Sequence, residues 1–152
     1  MPVRVGRRVL SFARRRALHL RLGERGERLA CRLLRRLGLD VLARNYRTPE
    51  GEIDLVARDG TTLCFVEVKT RHRQVHSRPA DAVGREKRRR IIRAARRYRR
   101  EIGWPAIVHR YDIVELVLAG NRLHDARYWP AAFTEEELPR SDRLPGLDDS
   151  DE

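Results

Sequence analysis

The sequence predicts an α/β fold in which two helices cover a single mixed sheet, and three observations carry that expectation. Apolar residues recur at helical spacing around residue 30; two alternating runs flank an Asp-Gly turn at residues 59–60; and a long arginine-rich helical stretch leads into a β-branched run. With 152 residues, the chain has room for one domain with a core of its own.

Gly23 to Leu37 reads as the first helix, with Ala30, Leu33, Leu34 and Leu37 on one stripe and Gly38 as its stop. Glu27 lies three residues before Ala30 and seven before Leu34, so it projects from the same side as that stripe. A polar stretch with Pro49 and Gly51 follows. Glu52 to Arg58 then alternates, placing Ile53, Leu55 and Ala57 on one face and Glu52, Asp54 and Val56 on the other, before the hairpin signal Asp59-Gly60. The returning strand, Thr62 to Thr70, sets Leu63, Phe65, Glu67 and Lys69 on one face and Cys64, Val66 and Val68 on the opposite one.

Arg71 to Pro79 reads as a loop. The second helix runs from about Asp81 to Glu101, with Lys87, Ile91, Ala94, Ala95, Tyr98 and Ile102 inward and arginine on its other side. Gly103 to Pro105 end it, Ala106 to Leu118 is a strand rich in β-branched residues, and Gly120-Asn121 turns the chain into a short segment ending near Trp129. The expected organisation is a basic arm over residues 1–22, a folded domain over 23–133 and an acidic, disordered tail over 134–152.

A net charge of +12 points to a polyanionic partner, because neutralising phosphates releases condensed counterions. The tail holds eight acids against two arginines, a charge of −6, so residues 1–133 carry +18. The arm has seven arginines and no acid and reads as a phosphate contact, with a plain surface helix as an equal alternative and an organelle transit peptide ranked below both. Cys31 and Cys64, far apart within apolar patterns, read as buried free thiols rather than a disulfide or zinc site. No run reaches the roughly 18 apolar residues of a spanning helix, so a cytoplasmic protein without a membrane partner is expected.

The chemistry is expected where the hairpin brings Asp54 and Glu67 together. Carboxylates on adjacent antiparallel strands can share one hard divalent cation, and Lys69 on the face of Glu67 can orient or deprotonate the attacking water and balance phosphate charge. Alternating polar residues are ordinarily just the solvent face of a strand. Here, however, Glu67 and Lys69 share their face with Leu63 and Phe65, where unpaired charges would be costly. Lysine usage adds to this, since of 34 basic residues only Lys69 and Lys87 are lysine. A compact ammonium with a shiftable pKa differs from a guanidinium that stays protonated, and Lys69 stands where that difference matters.

Glu27 is a further candidate ligand or acid/base group, and Glu52 is a neighbour of Asp54 on the same nominal face. Lys87, Arg71, Arg88, Arg89, Arg93 and Arg96 are the candidate nucleic-acid contacts, the helix offering a guanidinium face to a phosphate backbone. His72 and His76 read as substrate contacts in a loop. Tyr46, Trp104, Tyr111 and Trp129 are aromatics that can either stack on bases or fill the core.

Five blocks carry a resemblance: Gly23 to Ala30 (GERGERLA), Arg44 to Arg47 (RNYR), Gly51 to Ala57 (GEIDLVA), Phe65 to Arg71 (FVEVKTR) and Tyr111 to Val114 (YDIV). In that order they resemble the YraN family of small bacterial proteins, which is similar to archaeal Holliday-junction resolvases and the wider PD-(D/E)XK nuclease superfamily. The resemblance implies a restriction-endonuclease-like sandwich of αβββαβ type with a central mixed sheet. It implies catalytic positions at Asp54, Glu67 and Lys69, with Glu27 as the acid of the first helix and magnesium or manganese as cofactor. The function it implies is phosphodiester hydrolysis on DNA, branched DNA included, by a protein that would act as a homodimer on a symmetric junction. A non-catalytic nucleic-acid-binding or adaptor protein on the same fold is the alternative.

Overall fold

The structure is a computed structural model and describes residues 3–4, 20–73, 83–120 and 122–137. In chain order these form β1 (Val3–Arg4), α1 (Leu20–Arg36), β2 (Asp40–Arg47), β3 (Glu52–Asp59), β4 (Thr62–His72), α2 (Arg85–Glu101), β5 (His109–Ala119), β6 (Arg122–Phe133) and a 3-10 turn (Glu135–Glu137). Five long strands and the two-residue β1 make one sheet in the order β1-β6-β5-β4-β3-β2. Only the β4–β5 pair is parallel, because α2 carries the chain across between them. This is the α/β architecture expected, a mixed sheet between two helices with the restriction-endonuclease-like order of elements.

Each helix is held by the face it buries. Under α1, Ala30, Leu33 and Leu34 meet Leu55, Ala57, Cys64, Val66, Val114 and Leu116. Under α2, Ile91, Ile92, Ala94 and Ala95 meet Val56, Leu63, Phe65, Tyr111 and Ile113. Each fully buried leucine or isoleucine contributes roughly 1.5–3 kcal/mol, so both layers are needed to keep the sheet dry. The first helix ends as its sequence demands: Gly38 sits at φ 90°, and Leu39 N–H donates to Leu34 O while Gly38 N–H donates to Arg35 O, the paired bonds of a Schellman cap.

Several elements differ from the sequence reading. Strand β2 lies where only a polar stretch was expected; it is an edge strand whose residues are exposed or half-buried, so no apolar alternation marks it. Strand β6 is a full strand to Phe133, and β5 begins at His109.

Ile53 does not share the face of Leu55 and Ala57 but packs with the α2 layer. The registers Arg44↔Leu55 and Tyr46↔Ile53 set Asn45 opposite Asp54. Asn45 adopts φ 50°, and the β3–β4 ladder pairs only from Leu55↔Val66 onward. At that point the strands part and the β2–β3 ribbon turns its other face to α2. A strict two-residue period fails there for a local reason, and that place is where Asp54 stands.

The folded body also extends past Phe133. Glu135 accepts a hydrogen bond from the Tyr111 hydroxyl at 2.6 Å and faces His109 at 3.3 Å and Arg96 at 3.4 Å. Burial pushes its carboxyl up, but the His109 and Tyr111 hydrogen bonds and the Arg96 charge outweigh this and hold it down at about 2. The rest of the expected tail, and most of the expected arm, lie outside the described residues.

Candidate active site

The site forms where β3 leaves β4. Asp54 turns its carboxylate into the gap, and Oδ2 accepts the Val68 N–H at 2.8 Å, a donor the departing strand no longer pairs. Glu67, one step away on β4, points at α2 and is only 3% exposed. Lys87 on the first turn of α2 reaches Glu67 Oε1 at 2.6 Å, and Lys69 Nζ lies 3.7 Å from the same oxygen. The two lysines of the chain therefore flank one buried carboxylate.

Burial, followed by the charge of Asp54, pushes the Glu67 carboxyl up to about 7 in spite of both lysines. Lys69 is pushed down, first by burial and then by the neighbouring charge of Lys87. For Lys87 burial works in the same downward direction, but its hydrogen bond and ion pair with Glu67 prevail and raise it. One ammonium is thus fixed as a cation while the other is eased toward its neutral form.

Glu27, on α1, reaches the same site from the opposite face of the sheet. Burial raises its carboxyl, the Asn45 side chain counters by hydrogen bonding to it, and the charges of Asp54 and Glu52 raise it further. Asn45 thus links the first helix to the strand irregularity, a role its sequence position does not disclose. Glu52 contributes to the field around Glu27 and pairs with Arg47 at 3.5 Å near the surface.

The turn between β2 and β3 walls the site. Thr48 Oγ1 accepts the N–H groups of Glu50 and Gly51 at 3.1 and 3.0 Å, closing a tight loop against α2. A Cβ at Gly51 would fall 2.5 Å from the Arg90 carbonyl oxygen, so only glycine permits this approach. Between turn and helix lies a cleft of about 580 Å³, lined among others by Arg47, Glu52, Asp54, Glu67, Lys87 and Arg90.

The other expected contacts divide into two groups. Arg71 leaves β4 beside Lys69 but is held at 2.5 Å by Glu115, a buried acid on β5 that also faces Arg127 at 3.6 Å. Glu115 is the cross-strand neighbour of Lys69 and nothing in the sequence marks it, since it looks like one more residue of a β-branched strand. Arg88 donates to the Val83 carbonyl at 2.8 Å and lies over the Phe133 ring, and Arg96 turns to Glu135. Arg89 is half-buried and Arg93 exposed. The arginines that α2 exposes are Arg85, Arg90, Arg93, Arg97 and Arg100. His72 ends β4, and His76 lies outside the described residues.

The chemistry of Asp54 and Glu67, two carboxylates, is of the kind a hard divalent cation takes. Among the described residues no three His, Cys, Asp or Glu side chains gather closely enough to ligate an ion unaided. Asp54 and Glu67 offer a carboxylate pair whose like charges a cation would relieve, and water can complete such a shell.

A family model described as uncharacterised protein family UPF0102 matches residues 26–116. The chain belongs to UPF0102, the YraN family. A UPF0102 protein of Syntrophotalea carbinolica is 43% identical over 114 residues, covering 75% of this chain and 92% of its own length. One from Solibacter usitatus is 50% identical over 109 residues, covering 69% and 81%, and one from Beutenbergia cavernae is 48% identical over 96 residues, covering 63% and 81%. The stretch that defines UPF0102 membership contains Glu27, Asn45, Asp54, Glu67, Lys69, Lys87 and Glu115. Among the described residues, no helix of this UPF0102 protein is long and apolar enough to cross a membrane.

Proposed function

We propose that this UPF0102 protein is a metal-dependent nuclease that hydrolyses phosphodiester bonds in DNA. The observation that carries the reading is the convergence of the chain's only two lysines on Glu67, beside Asp54, at the floor of a cleft edged by Arg47 and Arg90. Asp54 and Glu67 would hold Mg2+ or Mn2+. Such an ion, when bound, lowers the pKa of water and offsets charge on a phosphoryl group.

The chain's own residues supply the rest. Lys87, fixed as a cation, holds a non-bridging phosphate oxygen, and Arg90 steadies the flanking backbone. Lys69, eased toward its neutral form, orients a water and accepts its proton. The bond that forms joins that water's oxygen to phosphorus. The bond that breaks is P–O3′, leaving a 5′-phosphate and a 3′-oxygen that takes a proton from solvent. Glu27, whose carboxyl is raised by burial and by the charge of Asp54, would serve from α1 as a further ligand or an acid/base group. A DNA substrate would be met in the cytoplasm, and a symmetric junction as substrate would call for a homodimer.

The test is cleavage of end-labelled duplex, flap and four-way-junction DNA with Mg2+, Mn2+ or chelator, comparing wild type with Asp54→Asn and Lys69→Ala. Metal-dependent cleavage lost in both variants supports the reading, and cleavage that survives both refutes the site. One observation favours a second reading: the 2.6 Å pair of Lys87 with Glu67 already neutralises that carboxylate, as a purely structural ion cluster would. A nucleic-acid-binding adaptor would then bind every substrate and cleave none.

A further inference from the structure

Of the four aromatics that could stack on bases, three are committed to the fold. Tyr46 and Tyr111 pack in the α2 layer, the former edge-on to Tyr98 and the latter stacked on Phe133, and Trp129 packs against the same layer. Trp104 is not: it is 41% exposed in the turn after α2, in a stretch of sequence where Ile102, Ile107 and Val108 are exposed as well. Its backbone sits at φ 49°, which a bulky residue adopts only under constraint, and its N–H is fixed to Arg99 O at 2.7 Å. The guanidinium carbons of Arg99 and Arg100 lie 5.1 and 6.0 Å from the ring centroid.

The exposed arginines of α2 lead to this ring. Arg90, Arg93, Arg97 and Arg100 are spaced three, four and three residues apart, so they form one stripe along the helix. Arg90 lines the catalytic cleft at one end, and Arg100 reaches Trp104 at the other. The Glu86–Arg90 and Arg97–Glu101 pairs, both 3.4 Å and exposed, cost little to open.

We propose that Trp104 is a stacking platform for an unpaired nucleobase, on a strand whose phosphates follow the Arg90–Arg93–Arg97–Arg100 stripe away from the cleft. This rests on the nuclease reading of the cleft and narrows its substrate class. From Lys87 to Arg100 the helix rises about 20 Å, which is about six nucleotides at the roughly 3.4 Å rise of a duplex strand and fewer for an extended single strand. The favoured substrate therefore carries an unpaired base a few nucleotides from the scissile phosphate. A ring that is 41% exposed and flanked by cations takes bases of any identity, because every base presents a π-face beside a phosphate.

The experiment titrates the full chain, in chelator at low salt, with an oligothymidylate of about twenty nucleotides and with a duplex of the same length. Tryptophan emission and the anisotropy of the labelled DNA are followed together. Emission should be quenched on binding in the wild type but not in Trp104→Phe, whose remaining indole is Trp129. Trp104→Ala should bind the single strand at least about fivefold more weakly and the duplex within about twofold of wild type, with Trp104→Phe restoring most of the loss. Binding without quenching, or an equal loss on both DNAs, overturns the stacking site and leaves the cleft reading standing. A fall in self-association with unchanged DNA binding overturns it in favour of contact between two copies through Trp104. Failure of the wild type to bind either DNA overturns both readings together.

Discussion

Replacing Glu67 with glutamine should remove most of the metal-free protein's pH dependence of stability between pH 5 and pH 8. The carboxyl is almost fully buried and rises from an ordinary 4.5 to about 7. The folded state then holds a proton that the unfolded chain has already released, so stability is fully present below about 4.5 and is lost as pH rises through 7. At about 1.4 kcal/mol per pH unit, that window corresponds to a loss of about 3 kcal/mol. Glutamine keeps the shape and still accepts from Lys87 but has no charge to desolvate. Urea unfolding of both proteins in chelator from pH 5 to pH 8 should show a fall of about 2–3 kcal/mol in the wild type and a much flatter profile in Glu67→Gln. Adding Mg2+ should flatten the wild-type profile alone. Parallel profiles for the two proteins would refute the assignment of a strained, buried charge at this position.

Other expectations follow from the same geometry. Lys69→Arg keeps the charge but removes the group that can become neutral, so it should lower cleavage by about a hundredfold or more while leaving unfolding midpoints nearly unchanged. Gly51→Ala should destabilise by about 1–3 kcal/mol, measured by denaturant unfolding, since its methyl meets the Arg90 carbonyl at 2.5 Å; it should also weaken DNA binding by shifting the cleft wall. Glu135 is held down at about 2, so its contribution is present above 4.5 and lost as pH falls toward 2. Glu135→Gln should therefore be less stable than wild type by about 1–3 kcal/mol at pH 7, with the gap closing below about pH 4.

Much of the site was legible because a strand has a rigid two-residue period. Glu67 and Lys69 fall on the face of Leu63 and Phe65, and the structure puts that face under α2 with Lys87 as a third member. The helical period likewise places Glu27 toward the sheet. What the period could not show is where it breaks. Ile53 changes faces because the β2–β3 ribbon turns at Asn45 and Asp54, a tertiary event set by the packing of the β2–β3 ribbon against α2. Strand β2 is not legible in the sequence because an exposed edge carries no apolar rhythm. Glu115 is not legible there because its partner Arg71 is 44 residues away, and no local pattern announces a buried ion pair of that separation. The arginines of α2 look alike in sequence, yet Arg88 and Arg96 serve the fold while Arg90, Arg97 and Arg100 face solvent.

Whether Asp54 and Glu67 hold a divalent cation is tested most directly by calorimetric titration of the wild type and of Asp54→Asn with Mn2+ near pH 6.5, in two buffers of different ionisation enthalpy. Cation binding must displace the proton that Glu67 retains up to about 7, so the wild type should bind Mn2+ and release up to about one proton, while Asp54→Asn should bind at least about tenfold more weakly. Equal affinity in both proteins, or binding without proton release, would contradict the site.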